Sequence, residues 1–195
     1  MTDILDHSPT AAVPERPAAT DVDIEPVAGR AGMERFIRLA FDLHRDDPQW
    51  VPPLLMERRA ALSAKGNPFF RHADAAFWIA RRQGRDVGRI SAQIDRLAEA
   101  GTGHFGMLAA VDDIAVVTAL TETAEQWLRT RGAQRVLGPF NLSINEETGL
   151  LVDGFDTPPM LMMGHDRPHL GPLLERAGYA KAKDVLAYLT EGPEL

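Results

Sequence analysis

The chain contains no cysteine. A disulfide scaffold, a Cys-ligated zinc or iron–sulfur centre and a thiol nucleophile are therefore excluded. It also lacks a long apolar run: no stretch approaches the roughly 18 residues that a membrane-spanning helix needs. Bases are in the minority, 21 Lys+Arg against 28 Asp+Glu, for a formal net charge of −7. Affinity for nucleic acid comes mainly from neutralised phosphates, so an acidic chain without a basic stripe is not expected to bind it. Met1 to Thr10 is acidic and has no apolar stretch of the secretory kind, which makes a cytoplasmic protein the expectation. The six histidines are scattered. His165 and His169 are four apart but separated by Pro168, so a shared helical face and a metal site are not expected.

What is present suits a soluble domain. The 195 residues are 45% apolar and 25% charged, enough for a single core. The first 25 residues hold six acids, one base (Arg16) and three prolines (Pro9, Pro14, Pro17). Such a segment buries too little apolar surface to offset its ordering entropy. Residues 1–20 are expected to be a disordered acidic tail and residues 21–195 a single domain.

Alternation in Val22–Val27 predicts a strand. Gly29 and Gly32 break it, and a helix follows with Met33, Phe36, Ile37, Ala40, Phe41 and Leu43 on one face, ending near Asp47-Pro48. A second helix is expected over Leu54–Ala64. Ala75–Arg81 and Val87–Ile94 read as strands joined at Gln83-Gly84, a hairpin in which Val87, Arg89, Ser91 and Gln93 share a face. His104–Val111 suits a central strand. Asp112-Asp113 then caps a helix whose apolar face is Ile114, Val117, Leu120, Ala124, Trp127 and Leu128, with Arg129 and Arg131 in the last turn and Gly132 closing it. Val136-Leu137 is a short strand, a helix starts at Pro168, and Gly178-Tyr179 leads to a last strand over Asp184–Leu189. Trp50, Trp78 and Trp127 are expected as core or groove aromatics. The order predicts a mixed α/β sheet with helices on both faces.

The stretch Asn141 to Gly149 is the candidate site, because α/β sheets place ligands beyond strand ends. It holds Asn141, Ser143, Asn145, Glu146 and Glu147. Transfer of an acyl group to an amine needs a base for the ammonium proton and donors for the carbonyl oxygen. Glu146 or Glu147 suits the first role, and Asn145 or Ser143 the second. The alternative is that Asn and Ser only hydrogen-bond an irregular loop. Met160, Leu161, Met162 and Met163 form an apolar run that reads as core strand or as an acyl-chain surface. His165 and Asp166 are adjacent, which does not by itself make them face each other.

The unit Phe105–Val111, Asp112-Asp113, Ile114–Gly132 resembles that of the GNAT acyl-CoA-dependent N-acyltransferases, as does the ending LLERAGYAKAKDVLAYL. That resemblance implies a mixed, mostly antiparallel sheet with helices on both faces. It also implies acyl-CoA as co-substrate, contacting Leu108, Ala109, Val111, Asp113 and Ile114. The run GPFNLSINEETGLLVDGF is more distinctive and resembles a bacterial group of GNAT-like proteins related to bacterial ceramide synthases. In that group a second GNAT-like domain follows. The resemblance implies an amine or lipid precursor as acceptor, with Asn141, Glu147, Met162 and His165 on the substrate side. A second GNAT-like domain is implied as a partner as well, and a homodimer is the other partner expected. One departure bears on mechanism: the family's glycine loop before the helix is replaced by Asp112-Asp113-Ile114-Ala115-Val116-Val117, with two carboxylates and no glycine. Two negative charges oppose a pyrophosphate there. The expectations are thus an N-acyltransferase, or a non-catalytic GNAT-like binding or scaffold module without a working coenzyme A loop.

Overall fold

The hairpin at Gln83-Gly84 sits at the centre of the sheet. Both turn residues have positive φ, 49° and 76°, as a two-residue turn matched to strand twist requires. A computed structural model describes residues 21–188 of the chain. In it β1 (Asp23–Pro26), β2 (Ala73–Arg82), β3 (Arg85–Asp95) and β4 (Thr102–Ala110) pair antiparallel in that order. β5 (Arg135–Leu137) joins β4 in parallel at the edge. The sheet is therefore mixed and mostly antiparallel, as expected.

Each face has its own core. α1 (Gly29–Leu43) and the ends of α2 (Leu55–Ala61) cover one face, packing Phe36, Ile37 and Leu39 on Phe77, Ile79 and Met107. α3 (Ile114–Arg129) and α4 (Leu170–Arg176) cover the other, with Val116, Val117, Leu120 and Leu128 against Ile90, Ala92 and Phe105. α3 forms where its apolar spacing predicts. Asp113 is its N-cap, accepting the Ala115 N–H at 2.8 Å, and Gly132 at φ 88° turns the chain out of it. Trp78 and Trp127 meet edge to face at 6.1 Å between Ile90's face and α3, and Trp50 stacks on His44 at 4.8 Å.

Several boundaries differ from the sequence pattern. α1 begins at Gly29 itself, with Gly32 inside the helix. α2 stops at Ala61 because the Asn67 side chain takes the Ala61 carbonyl at 2.8 Å and caps a short 3-10 turn, Pro68–Arg71. Met160–Met163 is not a core strand: these residues are exposed, Leu161 at 93%, and Met162 has φ 67°. Pro158 and Pro159 just before them offer no N–H to a ladder. No strand forms over residues 184–188, where Val185, Leu186 and Tyr188 are exposed and no neighbouring strand pairs with them. A strand is made by its ladder, and alternation alone does not supply one. Leu189 and the acidic tail lie outside the described residues. Among those described, no helix is long and apolar enough to cross a membrane.

Candidate functional site

β4 carries an extra residue. Arg89 pairs with Ala109 and Ser91 with Gly106, so β3 advances two residues while β4 advances three. This is a β-bulge, and Met107 within it has φ 48°. β4 and β5 pair only over Thr102–His104, and the chain itself fills the space beyond. The Phe140 N–H donates to Phe105 O at 2.7 Å. Gln93, fully buried on β3, donates its amide to Phe140 O at 2.7 Å and Leu142 O at 3.2 Å. Gly106 is required at this crossing, because a side chain there would collide with the Phe140 carbonyl.

The segment from Pro139 to Gly149 is closed on itself by Gly149 N–H to Pro139 O, 2.9 Å, and Asn141 N–H to Glu147 O, 3.0 Å. Asn141 bridges it to the sheet. Its side-chain oxygen accepts the Met107 N–H at 2.7 Å, and its amide donates to Glu147 at 2.7 Å. The second oxygen of Glu147 accepts from Arg58 of α2 at 2.8 Å. Ser143 accepts the Asn145 N–H at 3.2 Å, a local turn bond, and Asn145 is exposed.

The two adjacent glutamates thus differ. Glu147 is held by two donors. Glu146 has no side-chain hydrogen bond or ion pair among the described residues, and its half-buried position pushes its pKa above the ordinary carboxylate value, with Glu147 adding to the rise and Arg58 opposing it. A carboxylate that is unengaged and desolvated is a better proton acceptor than one locked in an ion pair.

His165 and Asp166 go to different partners. His165 is buried and its Nε2 lies 3.1 Å from Asp47 Oδ2, beyond the end of α1. Arg167 approaches the same carboxylate at 3.6 Å. Asp166 accepts the Leu151 N–H at 2.9 Å, and desolvation raises its pKa to about 6. Met162 stands with Met160–Met163 on the exposed surface. The residues that pattern alone did not single out are Arg58, Asp47 and Gln93. The polar face Arg89, Ser91, Gln93 of β3 was the one signal for Gln93; Arg58 and Asp47 had none. Among the described residues no three His, Asp or Glu side chains converge as a metal site.

No family model matches the chain. Over 173 residues it is 56% identical to a bacterial ceramide synthase of Caulobacter vibrioides (strain NA1000 / CB15N), an alignment covering 86% of this chain and 45% of that protein. It is 46% identical over 167 residues to protein YghO of Escherichia coli (strain K12), covering 84% of this chain and 43% of the relative. The chain spans somewhat less than half the length of these relatives. Among solved structures it is similar to AAC(6')-Iy, solved in complex with the bisubstrate analog CoA-S-monomethyl-acetylneamine, with a TM-score of 0.52 and 13% identity over 88% of this chain and 99% of that one. The fold is that of the GNAT acetyltransferases.

In this GNAT-like fold the start of α3 is occupied by the protein's own groups. Asp113 takes the Ala115 N–H with one oxygen and the Arg82 guanidinium with the other at 2.6 Å. Arg82 reaches on to Asp21 at 2.9 Å. The Arg82 hydrogen bond, and the capped backbone, hold the Asp113 carboxyl below its usual range. Leu108 and Ala109 are buried in β4, Val111 is exposed at its end, and Ile114 packs partly on the α3-side core. The Ala110 carbonyl accepts from His169 Nε2 at 2.9 Å. A pyrophosphate arriving here meets a satisfied N–H and a neutralised guanidinium, which is a poor cradle.

Proposed function

We propose that this chain is one GNAT-like half of an N-acyltransferase that moves an acyl group from acyl-CoA to an amine, a lipid precursor. The identity to a bacterial ceramide synthase supports the acceptor class, and the free carboxylate of Glu146 supports the chemistry. The amine must lose a proton as its nitrogen attacks the thioester carbon. Glu146 takes that proton, the C–N bond forms, and the C–S bond breaks with the electron pair leaving on sulfur. Ser143 and Asn145 are the proposed donors to the carbonyl oxygen. Asn141, Glu147, Met162 and His165 are proposed on the acceptor side, Asn141 and Glu147 by shaping the loop. A second GNAT-like half, or a second copy, completes the enzyme.

A second reading is favoured by the start of α3. With its cap bonded to Arg82 and no glycine loop, this half is a ligand-binding or scaffold module and the partner half carries the coenzyme site. Thiol release from a long-chain acyl-CoA in the presence of a long-chain amine separates the two. Turnover that Glu146→Gln abolishes, with amine binding intact, supports the first reading. Full turnover by Glu146→Gln removes Glu146 as the base. No turnover at any concentration of the chain removes completion by a second copy, and turnover by a two-half protein that survives Glu146→Gln in this half then leaves the module reading.

A further inference from the structure

Arg89 stands apart from the arginines around it. Among the described residues, every other arginine that is not fully exposed has a carboxylate within 4 Å: Arg35, Arg58, Arg81, Arg82 and Arg167. Arg89 has none. Its Nη1 donates to the Phe36 carbonyl at 2.9 Å, and its guanidinium lies 4.9 Å from the centre of the Phe36 ring. Its Nε is buried without an acceptor, and Nη2 has no partner among the described residues. The Nε–Nη2 edge is one of the two that grip a carboxylate or phosphate in bidentate pairs, and here it is empty-handed.

Protein surrounds Arg89, yet part of the residue remains accessible. Burial and the neighbouring Arg58 pull its pKa down to about 9, so it is still charged at neutral pH, and Glu147 opposes that pull only in part because Arg58 holds its carboxylate. His44, buried and with an unpartnered Nε2, senses Arg89 and Arg167. Asp47, which acts on His44, is shared by His165 and Arg167. Glu146 has no partner, but it is not among the charges that act on Arg89, and no carboxylate pairs with this largely enclosed cation, an arrangement that is costly unless something else supplies the charge.

We propose that Arg89 is the seat of an oxyanion brought by a small-molecule ligand, a carboxylate or a phosphate group, gripped by its Nε–Nη2 edge beside the Arg58–Glu147 pair. The site is independent of whether Glu146 is a base.

The test is thermal unfolding of the full chain at pH 7 in tens of millimolar sodium phosphate or sodium acetate, against sodium chloride at equal ionic strength. Stabilisation by either anion of about 3 °C or more, lost in Arg89→Met, is the expected result. Phosphate alone acting identifies a phosphate ester as the ligand group; acetate acting identifies a carboxylate. If neither anion differs from chloride in the wild type, or if the effect survives in Arg89→Met, the proposal is overturned. Should Arg89→Met fail to fold, the Arg89 Nε–Hε NMR signal of the wild type decides: it shifts on titration with the active anion, or the assignment is wrong.

Discussion

Asn141 and Met107 hold each other across the gap between β4 and β5, the side-chain oxygen of one accepting the backbone N–H of the other at 2.7 Å. The same amide restrains Glu147. Asn141→Ala should cost about 1–3 kcal/mol, since it strands a bulge N–H and removes a donor from a carboxylate. Denaturant unfolding measures this. Asn141→Asp keeps an acceptor for Met107 but sets a second carboxylate against Glu147, so it should not rescue the loss. An unchanged midpoint for Asn141→Ala would mean that the loop is held by other contacts.

Gly106 tests the same crossing from the sheet side. A methyl group there meets the Phe140 carbonyl, and backbone cannot yield as a flexible side chain can. Gly106→Ala should destabilise by about 1–3 kcal/mol or prevent folding. Gly164→Ala is the control: its nearest neighbour would be 3.8 Å away, and its effect should stay within about 0.5 kcal/mol.

The start of α3 gives a graded series. Asp113→Ala loses both the cap and the partner of Arg82, and should cost about 1 kcal/mol or somewhat more. Asp113→Asn keeps the cap and should cost less. For the same reason, calorimetry with acetyl-CoA should give a Kd of about 0.1 mM or weaker for this chain alone, about −5.5 kcal/mol at best. Low-micromolar affinity would show that the cap yields to phosphate.

Asp166 and His44 pull stability in opposite directions as pH changes. The folded pKa of Asp166 is raised to about 6, so folding favours its protonated form. Its contribution is fully present below about pH 4, and is lost as pH rises through about 6. His44 is lowered to about 4 by burial, so its contribution is present above about 6.5 and lost as pH falls toward 4. Asp166→Asn should remove the first effect, adding about 2 kcal/mol at pH 7 and leaving a variant that weakens on acidification across this window. Unfolding midpoints at pH 7 and pH 5 check the sign. A variant less stable than wild type at pH 7 would mean that the fold stabilises the Asp166 carboxylate and that its pKa is not raised.

What could be read from the sequence was local. The α3 cap at Asp113, the Gln83-Gly84 hairpin and the apolar spacing of α1 and α3 are contacts between near neighbours, and they emerge from spacing alone. The loop after β5 was also marked by its density of Asn, Ser and Glu. Its arrangement was not: Glu147 meets Arg58 across 89 positions and His165 meets Asp47 across 118, distances over which no periodicity speaks. The strand readings of residues 184–188 and of Met160–Met163 failed for a related reason. Alternation and apolarity describe a willingness to be buried, and whether a partner stands ready is decided elsewhere in the fold.

The plug between β4 and β5 makes the site and the sheet a single mechanical part. The segment bearing Glu146 cannot swing away while Phe140 and Asn141 remain bonded to β4 and Gln93, so it is no lid. Any ligand must come to a loop that is already fixed. A probe on that loop and a probe in the sheet should accordingly report one shared melting event.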